Sequence, residues 1–219
     1  MKLTLFGASG KIGGILMDIA LNHGDDVTVY VRNPEKIPKR ANLEIVAGQL
    51  SDTTLIEIAV KKSDVIISAL GPVLDTTRKP MGTPIADGHE MIIQAMKNHG
   101  KKRLITLATP SARSDDDTLN FYTIFPPFMA RLAFPNAYND MKSIGHIVKN
   151  SSLDWTVVRI IYLVENINNA GYAISVDGTN SKMAVSRENV ASFMYDVAAN
   201  NRYIHKMPII FNAGPTHSY

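Results

Sequence analysis

Short apolar segments alternate with helical segments along the whole chain, and this alternation restricts the folds open to it. Strands alternating with helices form a parallel sheet through right-handed crossovers, with helices on both faces. We therefore predict one doubly wound α/β domain over residues 1–219, with strand order 3-2-1-4-5-6 and a small C-terminal extension. The predicted strands are Lys2–Phe6, Val27–Val31, Leu43–Ala47, Asp64–Ser68, Arg103–Ala108, Trp155–Ile160 and Met207–Phe211. The clearest predicted helices are Lys11–His23, Thr83–His99, Tyr138–Asn150 and Ser186–Ala199, with Ser186 as an N-cap.

The composition is that of an ordinary globular protein, with 45% hydrophobic and 20% charged residues. The absence of cysteine excludes disulfides, thiolate nucleophiles and cysteine-ligated metal centres. A net charge of +3 is too small to indicate nucleic-acid binding. We find neither a secretory signal nor the roughly 18 uninterrupted apolar residues of a membrane span. These features predict a cytoplasmic protein.

The first predicted strand runs into a glycine-rich turn that opens the first helix. In this turn Gly7 permits a sharp bend, Gly10 lets the backbone approach a pyrophosphate, and Gly13 lets the helix pack close to the sheet. The free N–H groups at the helix N-terminus favour phosphate binding. We therefore predict a Rossmann-type dinucleotide site that includes Gly7, Ala8, Ser9, Gly10, Lys11, Ile12 and Gly13.

The end of the second strand indicates which dinucleotide is bound. NAD sites place a carboxylate there for the ribose 2′-hydroxyl, whereas this chain has Arg32 between Val31 and Asn33. A guanidinium suits a 2′-phosphate as a bidentate donor. Lys36 and Lys11 are candidates to join it, although a solvated basic edge is the alternative for all three cations. We predict a preference for NADP(H) over NAD(H).

Six segments together carry a family resemblance that extends from Leu3 to about Ala198. They are Phe6–Gly13, Val29–Asn33, Gly48–Asp52, Asp64–Gly71, Leu153–Arg159 and Val185–Ala191. On these motifs the chain resembles the atypical short-chain dehydrogenases/reductases of the NmrA-like kind, which include biliverdin reductase B/flavin reductase proteins.

The resemblance implies further cofactor contacts. Gln49 and Leu50 would flank the adenine, although Gln49 stands where an aspartate is usual. The nicotinamide-side ribose would lie against Ala69, Leu70 and Gly71. The turn Ile160–Tyr162, and Ile161 within it, would face the nicotinamide, with Ile160 in place of the usual proline.

A tyrosine and a lysine four residues apart match the catalytic pair of short-chain dehydrogenases. Tyr138 and Lys142 would lie on one helix face, where Lys142 would contact the ribose and favour proton donation by Tyr138. Thr109, or alternatively Ser111, would hold the substrate carbonyl at the end of the fifth strand. A chance Tyr–Lys pair without a catalytic role is the competing interpretation.

The remaining polar clusters give weaker signals. We predict no metal site, because the six histidines lack paired spacing and suit surface or helix-end positions. The acidic triplet Asp115–Asp117 is expected to be a solvated loop.

The apolar segment Phe121–Phe134, interrupted by Pro126 and Pro127, would be a wall or lid for a flat acceptor, or would pack against the sheet or another subunit.

Together these features predict an NADPH-dependent reductase of a small organic acceptor, such as a flavin, quinone or carbonyl compound. Residues 109–136 and 161–185 would form the substrate-side loops. A non-catalytic NADP(H)-binding redox sensor is the main alternative, and an epimerase or dehydratase a weaker one. We expect a small-molecule substrate, no nucleic-acid or membrane partner, and a monomer or homodimer.

Overall fold

A computed structural model describes residues 1–165 and 171–214 of the chain. The strands are β1 (Lys2–Phe6), β2 (Asp26–Val31), β3 (Leu43–Ala47), β4 (Val65–Ser68), β5 (Arg103–Ala108), β6 (Asp154–Arg159), β7 (Tyr162–Val164), β8 (Tyr172–Ser175), β9 (Ala184–Ser186) and β10 (Ile209–Asn212). The α-helices are α1 (Lys11–Asn22), α2 (Thr53–Lys61), α3 (Pro84–Asn98), α4 (Phe121–Ala133), α5 (Pro135–Lys149) and α6 (Arg187–Ala199).

The main sheet confirms the predicted strand order. Its strands run β3-β2-β1-β4-β5-β6-β10-β8, and neighbours from β3 to β10 are parallel while β8 is antiparallel at the edge. The chain reverses its direction of winding between β1 and β4, which lie side by side. Doubly wound sheets bind ligands at such a switch point, beyond the carboxyl ends of the strands.

Helices cover both faces of the sheet, as the unbroken burial of the central strands requires. One apolar cluster combines α1 and α6 with the sheet, and the other combines α2, α3 and α5 with the opposite face. All residues of β5 are buried, which is the pattern of a parallel strand between two helical layers. Ser186 caps α6 as predicted, because its side chain accepts a hydrogen bond from the Asn189 N–H.

The apolar segment Phe121–Phe134 forms a helix, since α4 runs through both Pro126 and Pro127. The helix begins with a capping box in which Asn120 and Thr123 satisfy each other's backbone N–H groups. Accordingly, residues 109–136 combine a loop with a helix, and residues 161–185 contain short strands rather than loop alone. Residues 166–170 of the second segment lie outside the described part.

The expectation that Asp115–Asp117 is solvated is wrong for Asp117. Its carboxylate accepts two hydrogen bonds of 2.7 Å from Arg159, and the two side chains are 2% and 0% exposed. Arg159 also donates from Nε to the Met207 carbonyl. A buried charge needs such a partner, and Arg159 at the end of β6 supplies it. This pair fixes the β5–α4 connection above the sheet.

The surface or helix-end position expected for histidines is wrong for His89. It is fully buried in α3, where Nδ1 donates to the Ile85 carbonyl and Nε2 accepts from the Thr106 hydroxyl. Burial lowers the pKa of His89 to about 4, so the imidazole is neutral near pH 7 and joins α3 to β5. His217 lies outside the described residues.

Two further observations concern metal binding and membrane insertion. No group of three His, Cys, Asp or Glu side chains in this part of the chain is placed to hold a metal ion. Among the same residues, no helix has the length and apolar character needed to cross a membrane.

Candidate cofactor and active site

The turn between β1 and α1 requires glycine at two positions for different reasons. Gly7 has φ +86°, and a Cβ there would lie 2.9 Å from the Ala69 carbonyl carbon. A Cβ on Gly13 would lie 2.2 Å from the Gly7 carbonyl oxygen. Gly13 thus lets the first turn of α1 approach the glycine turn itself. The result is a tight loop at the carboxyl end of β1.

The same turn leaves the N-terminus of α1 open to a ligand. Gly10 is the N-cap, and no side chain caps this helix end. A Cβ on Gly10 would contact only the Gly7 carbonyl oxygen, at 3.3 Å, among the described atoms within 4 Å. The first N–H groups of a helix lack intrahelical acceptors, so they are available to an anion such as a pyrophosphate.

A cavity of about 570 Å³ lies beside this turn, at the carboxyl ends of β1 to β4. The start of α3 forms its other wall. Among the residues predicted to bind the cofactor, those that line it are Gly7, Ser9, Arg32, Gln49, Leu50, Leu70 and Gly71. Segments far apart in the sequence therefore meet in one space, beside the expected phosphate position.

Several lining residues were missed by the sequence analysis. The hydroxyl of Tyr30 donates to the Gln49 carbonyl at 2.7 Å, and its ring packs on Phe6. Burial, with a smaller effect of the Asp52 carboxylate, raises the pKa of Tyr30 to about 12. Gly48 makes room for this ring, because a Cβ there would lie 2.3 Å from the Tyr30 hydroxyl oxygen. Gly48, the first residue of the Gly48–Asp52 motif, is the sequence feature that could have indicated this packing.

The three predicted cations do not converge on the cavity. Arg32 lines it and is exposed, and no side-chain hydrogen bond or ion pair engages its guanidinium within the described residues. Lys36 is exposed in a short 3-10 turn after β2. Lys11 instead donates to Glu165 at 2.8 Å, and this contact holds the pKa of the Glu165 carboxyl below its ordinary value. Arg32 is thus the cation placed at the cavity.

Other predicted cofactor residues lie around the turn or beyond the cavity lining. Ala8 is buried within the turn, and Ile12 is half-buried at the start of α1. Ala69, which follows β4, packs against Gly7. Ile161 is half-buried between β6 and β7.

The predicted catalytic residues occupy two neighbouring elements. Tyr138 is half-buried and Lys142 exposed on α5, and neither side chain has a hydrogen-bond partner in the described part of the chain. The helix lies close to the loop after β5, since a Cβ on Gly145 would be 2.7 Å from the Ala112 Cβ.

The hydroxyls in this loop differ in their availability. Thr109 Oγ1 accepts a hydrogen bond from the Ser111 N–H at 3.3 Å. The Ser111 hydroxyl is buried without a hydrogen-bond partner among the described residues.

An open helix N-terminus, a glycine turn and a cavity at the switch point together define a dinucleotide-binding protein. The chain belongs to the NAD(P)H-binding family, whose model matches residues 7–201.

Two curated relatives match most of the chain. The chain is 26% identical over 208 residues to the UPF0659 protein YMR090W of Saccharomyces cerevisiae, covering 90% of this chain and 86% of that protein. It is 22% identical over 156 residues to the uncharacterized protein YwnB of Bacillus subtilis, covering 71% and 70%.

Solved structures share the fold at low sequence identity. A short-chain dehydrogenase/reductase from Veillonella parvula in complex with NADP matches with a TM-score of 0.78 and 16% identity, over 100% of this chain and 96% of that one. ChuY, an anaerobillin reductase from Escherichia coli O157:H7, matches with a TM-score of 0.76 and 19% identity over 100% of both chains. These likenesses show that the chain shares the fold of these proteins.

Two glycine variants separate cofactor binding from folding. We expect Gly10→Val to fold but to lose thermal stabilisation by NADPH, because the new side chain obstructs the pyrophosphate approach. Gly13→Ala should instead lower the free energy of unfolding by about 1–3 kcal/mol without any ligand, because its methyl group overlaps the Gly7 carbonyl. Thermal melts with and without NADPH measure both effects. Full stabilisation of Gly10→Val would place the dinucleotide elsewhere.

Proposed function

We propose that this protein is an NADPH-dependent oxidoreductase that reduces a small organic acceptor. The observation that carries the proposal is the exposed guanidinium of Arg32, which lies on the cavity beside the glycine turn and has no hydrogen-bond or ion-pair partner among residues 1–165 and 171–214. The opening of α1 would receive the pyrophosphate, and Arg32 would bind the 2′-phosphate. The NADP complex of a structural neighbour supports this choice of cofactor.

The adenine half of the cofactor would occupy the described cavity. Gln49 and Leu50 border the space next to Arg32, and Leu50 packs against Gly88 of α3. A Cβ on Gly88 would lie 2.9 Å from Leu50 Cδ1, so glycine lets α3 approach this wall. A site of this kind holds the ring between apolar and amide groups while the phosphates bind at the helix end.

The reacting half would lie toward α5 and the loop after β5. When bound, the nicotinamide supplies a hydride to the acceptor. For a carbonyl acceptor, Tyr138 would donate the proton, and Lys142 would favour that transfer and contact the ribose. The Thr109 hydroxyl, or alternatively that of Ser111, would hold the carbonyl oxygen. The buried Arg159–Asp117 pair would keep this loop in position.

Flavins, quinones and carbonyl compounds are the acceptor classes that we propose. The resemblance to flavin reductase proteins supports the first class, and the structural neighbour named an anaerobillin reductase supports reductase activity in general.

The direct test is NADPH consumption with a panel of flavins, quinones and aldehydes. We expect steady oxidation of NADPH, seen as loss of nicotinamide absorbance, with at least one acceptor and no such oxidation by Gly10→Val. NADPH binding without turnover on any acceptor would instead identify a redox sensor. Purified protein that binds no NADPH would contradict the proposal altogether.

A further inference from the structure

The outer surface of α4 is a continuous apolar stripe. Its side chains recur at the spacing of one helix face, and each is between 42% and 55% exposed. We call this surface the α4 face, formed by Phe121, Ile124, Phe125, Phe128, Met129 and Leu132. Thr123, on the opposite side of the helix, is buried. The helix therefore turns its polar cap residue inward and its large apolar side chains toward solvent.

The size of this surface is at the upper limit of what an isolated domain ordinarily exposes. Aromatic side chains carry about 150–250 Å² each and aliphatic ones somewhat less, so half-exposure of these six leaves about 500–600 Å² of apolar surface. The largest apolar patch on a typical monomer is about 300–600 Å². Leu119, which is 77% exposed just before the helix, enlarges the surface further. Exposed apolar surface of this extent indicates a partner.

The geometry points to a second copy of this chain as that partner, and we propose that two copies pair through the α4 face. A standard interface buries about 800 Å² per partner, and about 65% of a homodimer interface is apolar. The apolar share is therefore about 520 Å², which the α4 face supplies. This inference goes beyond the proposed reductase activity and does not depend on it.

Charge and helix geometry also suit pairing with itself. Arg131 is the only charged residue in the described sequence of α4, and it lies beside the stripe near the C-terminal end. A two-fold axis at the middle of the helix, near Phe125 and Phe128, would set two such helices antiparallel. The two Arg131 side chains would then lie at opposite ends of the pair. The two apolar stripes would face each other without like-charge repulsion.

The first test is the molar mass in solution, measured by light scattering during gel filtration. We expect the wild-type protein at micromolar concentration to have twice the mass of one chain. The double variant Phe125→Glu, Phe128→Glu should be monomeric, with an unchanged circular dichroism spectrum and NADPH affinity. Ile58→Glu is the matched control, because it charges an exposed isoleucine on α2, and it should remain dimeric. A monomeric wild type would overturn the proposal.

A second test uses the absence of cysteine from the chain and remains informative if the double variant does not fold. Under mild oxidation, Phe128→Cys should form a disulfide-linked dimer, whereas Ile58→Cys should stay unlinked. Equal cross-linking of both variants would show random collisions and overturn the proposed interface. A monomer that floats with anionic phospholipid vesicles would identify a membrane surface as the partner, which also overturns it.

Discussion

Replacement of Tyr138 by phenylalanine is expected to lower turnover of a carbonyl acceptor about 10²–10⁴-fold, which is the usual contribution of a general acid. NADPH affinity should be unchanged, because the proposed role of the phenol begins only when the carbonyl receives the hydride. Steady-state kinetics with separate titration of NADPH measures both quantities. Tyr122→Phe, which removes another half-buried tyrosine hydroxyl, is the matched control and should retain activity.

Lys142→Ala distinguishes the two members of the pair. It should reduce both turnover and NADPH affinity, because it removes the proposed ribose contact together with the charge that favours proton transfer. Flavin reduction should respond little to Tyr138→Phe, since hydride passes to the ring and water can supply the proton. Unchanged turnover of every accepted carbonyl compound by Tyr138→Phe would leave Tyr138 and Lys142 as a chance pair on α5.

The parts of the fold that follow from local sequence were predictable. The strand Lys2–Phe6, the glycine turn and the helix that starts at Lys11 are contiguous, so their arrangement is determined within a short segment. The alternation of elements then predicts a parallel sheet with right-handed crossovers, and the glycine turn of a dinucleotide site indicates the order 3-2-1-4-5-6. The position of Arg32 after β2 follows from the same local pattern.

Features that depend on distant contacts were not predictable. The sequence shows three aspartates in a row, but only the fold brings Asp117 to Arg159, which is 42 residues away. Likewise, the start of α3 forms one wall of the cavity only because that helix packs against the sheet beside it. No helix was predicted for Phe121–Phe134, yet α4 runs through both prolines after a strong cap at Asn120. Local penalties such as these are overcome by capping and packing.

The proposed preference for NADPH depends on Arg32, and its removal should have a large and selective effect. Loss of a charge-assisted bond to the 2′-phosphate costs about 1.5–3 kcal/mol, or roughly 10- to 150-fold in affinity. NADH has no 2′-phosphate, so Arg32→Ala should change NADH affinity far less. Lys39→Ala removes an exposed cation seven residues further along the chain and controls for the change in net charge.

Calorimetric titration of NADPH and NADH into the wild type, Arg32→Ala and Lys39→Ala tests the central claim most directly. The wild type and Lys39→Ala should bind NADPH more tightly than NADH, and Arg32→Ala should lose most of that preference through weaker NADPH binding alone. Equal losses for both dinucleotides in Arg32→Ala, or tighter binding of NADH by the wild type, would contradict an NADPH site built around Arg32.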